Sequence, residues 1–236
     1  MNKQPMIAGY TMILPAAGIG SRMQQALAKQ YLTIDNKTII ERTLERVLSH
    51  PKIAHVVVVI SAEDNTFASL TIAKHDNVSI AIGGKERADS VLAGLKAAGE
   101  QDWVLVHDAA RPCVTHTDID ALIEFCEQNQ EGAILATPVR DTMKRTNASG
   151  HIAITEERDN LWHALTPQMF PHRLLLSSLE RGIQEHANIT DEASAMEYAG
   201  QSAHVVSGRE DNIKITRPAD LPLAAFILQQ QESACV

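Results

Sequence analysis

The residues most suited to chemistry lie in short, glycine-rich or charge-bearing runs. Foremost is Pro15-Ala16-Ala17-Gly18-Ile-Gly20-Ser-Arg22-Met23. Gly18 and Gly20 let the backbone turn sharply and approach a ligand closely. Successive N–H groups in such a turn form an anion-binding concavity. Arg22 adds a fixed charge and a forked donor set suited to phosphate, and Lys29 follows seven residues later, near enough to return to the same place. Two familiar phosphate motifs fail here. Met23 occupies the third glycine position of the dinucleotide fingerprint, and no G-K-[ST] completes a Walker A loop. A nicotinamide-dependent oxidoreductase and a P-loop NTPase are therefore disfavoured.

Two further runs carry charge. His107-Asp108-Ala109-Ala110-Arg111-Pro112 places a carboxylate and a guanidinium just past an apolar run. One reading is that Asp108 holds a metal ion or a ribose and Arg111 a phosphate; the plainer one is that Asp108 caps the next turn and Arg111 pairs with it. The second run is Gly208-Arg209-Glu210-Asp211-Asn212-Ile213-Lys214-Ile215-Thr216. If Ile213–Thr216 is a strand, Lys214 faces away from its isoleucine neighbours. It then either enters a phosphate pocket or lies on a solvated face.

These runs need elements to hold them. Tyr10–Leu14, His55–Ile60, Val78–Ile82, Trp103–His107 and Gly132–Ala136 read as buried strands. Between them, Thr38-Ile-Ile-Glu41 is a capping box, and Ile40, Leu44, Val47 and Leu48 follow at helical spacing. Ala88, Val91, Leu92 and Leu95 repeat that spacing, as do Ile119, Leu122, Ile123 and Cys126. Alternating strands and helices predict an α/β fold, a mainly parallel twisted sheet with helices on both faces. Ligands on such sheets bind beyond the carboxyl ends of the strands, where the charged runs fall. Residues 138–160 break the rhythm, being polar and without helical periodicity. They predict a protruding β-hairpin arm within a single domain spanning 1–236, packed on a second copy in a two-fold dimer. The last 20 or so residues read as a helix, with Pro222 tolerable only in its first turn.

Composition bounds the rest. Hydrophobic residues are 44% and charged residues 21%, a globular mix, while aromatics are 4%, so the core must be aliphatic. The formal net charge of −8 argues against nucleic-acid binding but permits an anionic substrate wherever positive charge is local. No apolar run reaches the roughly 18–20 residues of a membrane helix, and no signal peptide is evident. Cys113, Cys126 and Cys235 are odd in number and form no C-x-x-C pair. A reducing cytoplasm is the expected location.

Taken in order, P-A-A-G-x-G-x-R-M, Lys29-Gln-Tyr31, Glu86-Arg-Ala-Asp-Ser90, H-D-A-A-R-P, Arg140-Asp-Thr-Met-Lys144, Leu161-Trp-His-Ala-Leu-Thr-Pro-Gln168, Thr190-Asp-Glu-Ala-Ser194 and Asp211–Thr216 resemble the 2-C-methyl-D-erythritol 4-phosphate cytidylyltransferases, from about Tyr10 to about Leu228. The first motif alone would mark the wider nucleotidyltransferases; the later ones are more specific. The resemblance implies a Rossmann-like nucleotidyltransferase fold and a homodimeric, Mg2+-dependent enzyme of the non-mevalonate isoprenoid pathway. It would join CTP to 2-C-methyl-D-erythritol 4-phosphate and release pyrophosphate. Carried over, Arg22 and Lys29 match transition-state-stabilising positions, and Arg158 and Lys214 those that position the methylerythritol phosphate. Ala16, Ala17, Gly18, Gly20, Gly84, Ser90, Asp108 and Ala109 match the nucleotide site, with Asp108 also the candidate for magnesium. Arg111, Thr142 and Thr190 match substrate-side positions, and Thr142 and Arg158, on the arm, would serve the neighbouring subunit. Lys85 departs from the acidic residue common there. The rival expectations are a cytidylyltransferase for another polyol phosphate, such as ribitol 5-phosphate, and a non-catalytic nucleotide-binding regulator.

Overall fold

Runs of β-branched residues bounded by turn residues have one stable solution, a sheet buried on both faces by helices. The computed structural model describes residues 9–18 and 28–233. In chain order it contains β1 (Tyr10–Pro15), β2 (Thr33–Ile34), β3 (Lys37–Thr38), α1 (Ile39–Leu48), β4 (Ile53–Ile60), β5 (Val78–Ile82), α2 (Arg87–Ala98), β6 (Trp103–Val106) and α3 (His116–Asn129). There follow β7 (Ala133–Pro138), β8 (Lys144–Thr146), β9 (Ile152–Thr155), β10 (Trp162–Pro171), α4 (His172–Gln184), α5 (Glu192–Tyr198), β11 (His204–Ser207) and α6 (Asp220–Ser233). The main sheet has the order β11-β7-β10-β6-β1-β4-β5. Its pairs are parallel except those of β10, which runs antiparallel between β6 and β7.

Alternation along β1 and β4 divides the core. Met12, Leu14, Val56 and Val58 face α1 and α3, meeting Leu44, Val47, Ile119 and Leu122. Ile13, Val57 and Val59 face the other way, toward Val91 and Leu95 of α2 and Leu175 and Leu179 of α4. A Cβ on Gly94 would lie 2.4 Å from Ile13, so glycine lets α2 approach the sheet closely. The capping box forms as the sequence predicts, with Thr38 accepting from the Glu41 N–H at 3.3 Å. Pro222 falls in the first turn of α6, which covers a third cluster around Ile34, Ile39, Cys113 and Ile215.

Two expectations need adjustment. Ile213–Thr216 is not a strand: Ile215 makes one backbone bond, to Ala110 O at 2.9 Å, and the segment crosses the sheet ends as a loop. The Val78–Ile82 strand is not buried on both faces: β5 is the sheet edge, and Ile80 and Ile82 are exposed there. Within residues 138–160 the hairpin forms, β8 pairing antiparallel with β9 as a separate two-stranded sheet whose residues are exposed.

Candidate active site

The loop after β6 is held by hydrogen bonds at nearly every polar atom. The His107 ring is fully buried between Thr166 Oγ1 at Nδ1 and Arg111 O at Nε2, each at 3.0 Å. A carbonyl only accepts, so Nε2 carries the proton and Thr166 donates to Nδ1. Burial pushes the His107 pKa down to about 4, leaving a neutral ring. Thr166 Oγ1 also accepts the Asp108 N–H at 3.0 Å. Arg111 donates to Asn212 O at 2.6 Å, and Asn212 Nδ2 donates to Thr166 O at 2.8 Å. The loops after β6, within β10 and before α6 are thereby stitched together.

Asp108 is the electrostatic centre of that knot. Its Oδ2 lies 2.8 Å from Lys214 Nζ and 3.4 Å from Arg111 Nε, and its Oδ1 lies 3.3 Å from Arg87 Nε. Burial alone would raise its pKa, but Arg87, Lys214 and Arg111 outweigh burial and hold the carboxyl well below the usual carboxylate range. The plainer reading of Arg111, that it pairs with Asp108, is therefore realised. Lys214 turns to the same carboxylate, while Ile215 is fully buried behind it.

A cavity opens at the carboxyl ends of β1, β5 and β6. It is lined by Pro15, Ala16, Ala17 and Gly18 from the first turn, Lys29 and Gln30, Gly84 to Arg87, Ser90, the Asp108–Ala110 loop and Lys214. Ala16 N–H donates to Val59 O at 2.7 Å, and the buried Gln30 donates to Ala16 O at 2.8 Å, fixing the first turn. Gly84 packs so tightly on the first turn of α2 that a Cβ there would lie 2.4 Å from Asp89 Cβ. The Ser90 hydroxyl, nearly buried, donates to Glu86 O at 3.2 Å. Lys29 and Lys214, 185 residues apart in the sequence, thus line one cavity together with Ala16, Ala17, Gly18, Gly84, Ser90, Asp108 and Ala109. Gly20 and Arg22 lie outside the described residues.

A second cavity uses the other side of the same wall. Arg87, Asp108 and Lys214 line it too, with Arg111, Thr166, Gln168, Thr190 and Asp191. Arg111 and Thr190 are thus brought together, next to the first cavity. Thr142 and Arg158 line neither; they are exposed on or beside the hairpin, with Arg158 Nη1 donating to Arg140 O at 2.6 Å.

Residues of the same motifs whose spacing suggests no role also stand here. Arg87 binds both oxygens of the buried Glu192, at 2.6 and 3.1 Å, from 105 residues away. Chain separation of that size leaves no local spacing signal that could have paired them. Gln30 could have been found only as the middle residue of Lys29-Gln-Tyr31.

Chemically, the cavity offers a glycine-bearing turn and two lysines, one of them paired with a carboxylate, an arrangement suited to multiply charged phosphates. A family model described as 2-C-methyl-D-erythritol 4-phosphate cytidylyltransferase (IspD) matches residues 10–230. The proteins of that name from Tolumonas auensis and Shewanella sediminis are 56% and 57% identical over 223 and 221 residues, covering 94% of this chain in each case and 98% and 94% of the relatives. The crystal structure of the Francisella tularensis 2-C-methyl-D-erythritol 4-phosphate cytidylyltransferase is similar with a TM-score of 0.81 and 33% identity, covering 93% of this chain and 99% of that one.

Proposed function

Since the chain belongs to the 2-C-methyl-D-erythritol 4-phosphate cytidylyltransferase family, we propose that it transfers the cytidylyl group of CTP to 2-C-methyl-D-erythritol 4-phosphate. The observation that carries this reading is the convergence of Lys29 and Lys214 on the cavity formed by the Pro15–Gly18 turn, Gly84, Ser90 and Asp108. A phosphate oxygen of the acceptor attacks the α-phosphorus of CTP. The new O–P bond forms as the bond to the bridging α–β oxygen breaks, and pyrophosphate leaves. A phosphate monoester has its second pKa at ~6, so the nucleophile is already ionised near neutral pH and needs no general base. The obstacle is repulsion between two anions. Catalysis therefore consists of holding them in line and neutralising the charge that develops on phosphorus.

Each residue's role follows. The β- and γ-phosphates fall to the amides of Ala17 and Gly18, with Gly20 and Arg22, outside the described residues, assigned to the same role; Lys29 meets the α-phosphate and leaving oxygen, and Lys214 holds the incoming phosphate. Gly84 and Ser90 read the cytosine edge, where a requirement for specific hydrogen bonds rejects other bases. Arg111 and Thr190 line the acceptor side. Among the described residues no group of three or more His, Cys, Asp or Glu side chains is placed to hold a metal. One carboxylate at the wall nevertheless fits Mg2+, which takes few protein ligands and is held largely by substrate phosphates. With its oxygens already meeting Arg87, Arg111 and Lys214, Asp108 would reach the ion through a bound water, and the ion would add charge neutralisation at the triphosphate.

The hairpin supplies the rest. Ile152 and Ile154 are 64% and 56% exposed, and Leu161 and Trp162 at its base are also open. A second copy covering this apolar surface gives a two-fold dimer and carries Thr142 and Arg158 to the partner's cavity. Incubation with CTP, Mg2+ and 2-C-methyl-D-erythritol 4-phosphate, with ribitol 5-phosphate in parallel, tests the function. Pyrophosphate and a cytidine diphosphate product are expected from the first acceptor. CTP binding with no pyrophosphate from either overturns the reading in favour of a nucleotide-binding regulator.

A further inference from the structure

We infer that Arg87 and Glu192 are positioning residues: paired, they clamp Asp108 and through it aim Lys214 into the cavity it shares with Lys29. This rests on the reading that the cavity binds CTP beside a phosphate acceptor. Glu192 is 1% exposed and gives both oxygens to Arg87, at 2.6 and 3.1 Å. It stands in the first turn of α5, where the helix dipole favours a negative charge. Arg87, in the first turn of α2, turns its Nε to Asp108 Oδ1 at 3.3 Å. The opposite oxygen of Asp108 meets Lys214 at 2.8 Å.

The terminal torsion of an aspartate is soft and two-fold. Arg111 shares Oδ2 with Lys214 at a longer 3.4 Å, and Arg87 is the side chain that holds Oδ1, so it pins the far side of the torsion that points Oδ2 at Lys214. Arg87 is in turn fixed by a carboxylate that is itself buried. A well-packed apolar pair could join α2 to α5 with equal or better stability, but it could not orient a carboxylate. Arg87 also lines both cavities, and Glu192 directly follows Thr190 and Asp191 of the second. The pair thus links the nucleotide side of the wall to the acceptor side.

Glu192→Gln keeps the shape of the side chain and removes its charge. In steady-state pyrophosphate release it should lower kcat by about tenfold or more, the scale typical when a group that orients a site residue is lost, with calorimetric CTP affinity within about threefold of the unmodified protein. The discriminating readout is a double-mutant cycle with Lys214→Ala. In that background Glu192→Gln should change kcat by less than about twofold, because the group it aims is already gone. A role confined to stability would instead give the same factor in both backgrounds, and that additivity, or an unchanged kcat, overturns the inference. If Glu192→Gln does not fold, Arg87→Lys enters the same cycle, since lysine keeps a charge opposite Glu192 but cannot bridge to Asp108. An unmodified protein that turns over while the cycle is additive defeats this inference alone; an unmodified protein that releases no pyrophosphate defeats the functional reading and the inference together.

Discussion

The cavity wall and the hairpin are built on opposite terms. At the wall, charged side chains leave the ends of buried strands and are held from behind. Asp108 is shared by three cations, His107 is stapled at both nitrogens, and Asn212 and Thr166 close the network. In the hairpin, every residue of β8 and β9 is exposed, and isoleucines point outward without cover. The wall's network closes among residues of one chain, whereas the hairpin has apolar surface that no described residue of the same chain buries. Residues on the first can be placed by the fold alone. Those on the second, Thr142 and Arg158, stand exposed, with Arg158 meeting the backbone of its own chain at Arg140 O.

The sharpest way to break this contrast is at Asp108. Asp108→Ala leaves Arg87, Arg111 and Lys214 facing one another, and removing one partner from buried ion pairs typically costs about 3–5 kcal/mol. Denaturant unfolding should show a loss of that size; a loss below about 1 kcal/mol, the level of surface pairs, would mean that the wall is not held as described. Next in size is Lys29→Ala, which should lower turnover roughly 10²–10³-fold while CTP affinity changes less, as for other preorganised charge donors. A defect confined to CTP affinity would remove Lys29 from the transition-state role.

The wall should also respond to acid. His107 titrates at about 4 in the folded chain against 6.5 when unfolded. Between those values the unfolded chain binds the extra proton, so the stability due to His107 is complete above pH 6.5 and is lost as the pH falls toward 4. The loss is about 3 kcal/mol. Burial lowers the pKa values of His50 and His55 as well, so the test is a comparison. Unfolding free energies from pH 7 to 4 should fall less steeply in His107→Gln than in the unmodified protein, and equal slopes would contradict the neutral, buried ring. The hairpin should show the smallest effect on folding. Ile154→Ser, at an exposed site, should change chain stability by no more than about 0.5 kcal/mol yet shift sedimentation toward the monomer. Unchanged sedimentation would remove the apolar surface as the dimer contact.

The sheet was legible where its residues alternate with helical spacing. β1, β4, β5, β6 and β7 fall where apolar runs stand, within a residue or two; burial on both faces demands such runs in the inner strands, while β5 at the sheet edge keeps Ile80 and Ile82 exposed. β10 carries Pro167, Pro171 and a buried Gln168, residues that disfavour a strand by local preference, and only its place between β6 and β7 makes it one. The site was legible at its turns, since Gly18, Gly84 and Asp108 directly follow strands. Lys214 was legible as a charge among isoleucines but not as a loop residue. The Arg87–Glu192 pair was not legible, because folding alone brings together side chains 105 residues apart.

The contrast between wall and hairpin comes to its most direct test in mixed dimers. Lys29→Ala chains and Arg158→Ala chains, each nearly inactive alone, are denatured together in equal amounts, refolded and assayed for pyrophosphate release. If each site joins the wall of one chain to the hairpin of its partner, half the dimers are hybrids with one intact site, and activity returns to about a quarter of the unmodified level. Mixtures no more active than their components would show that Arg158 serves the cavity of its own chain or none, contradicting the account.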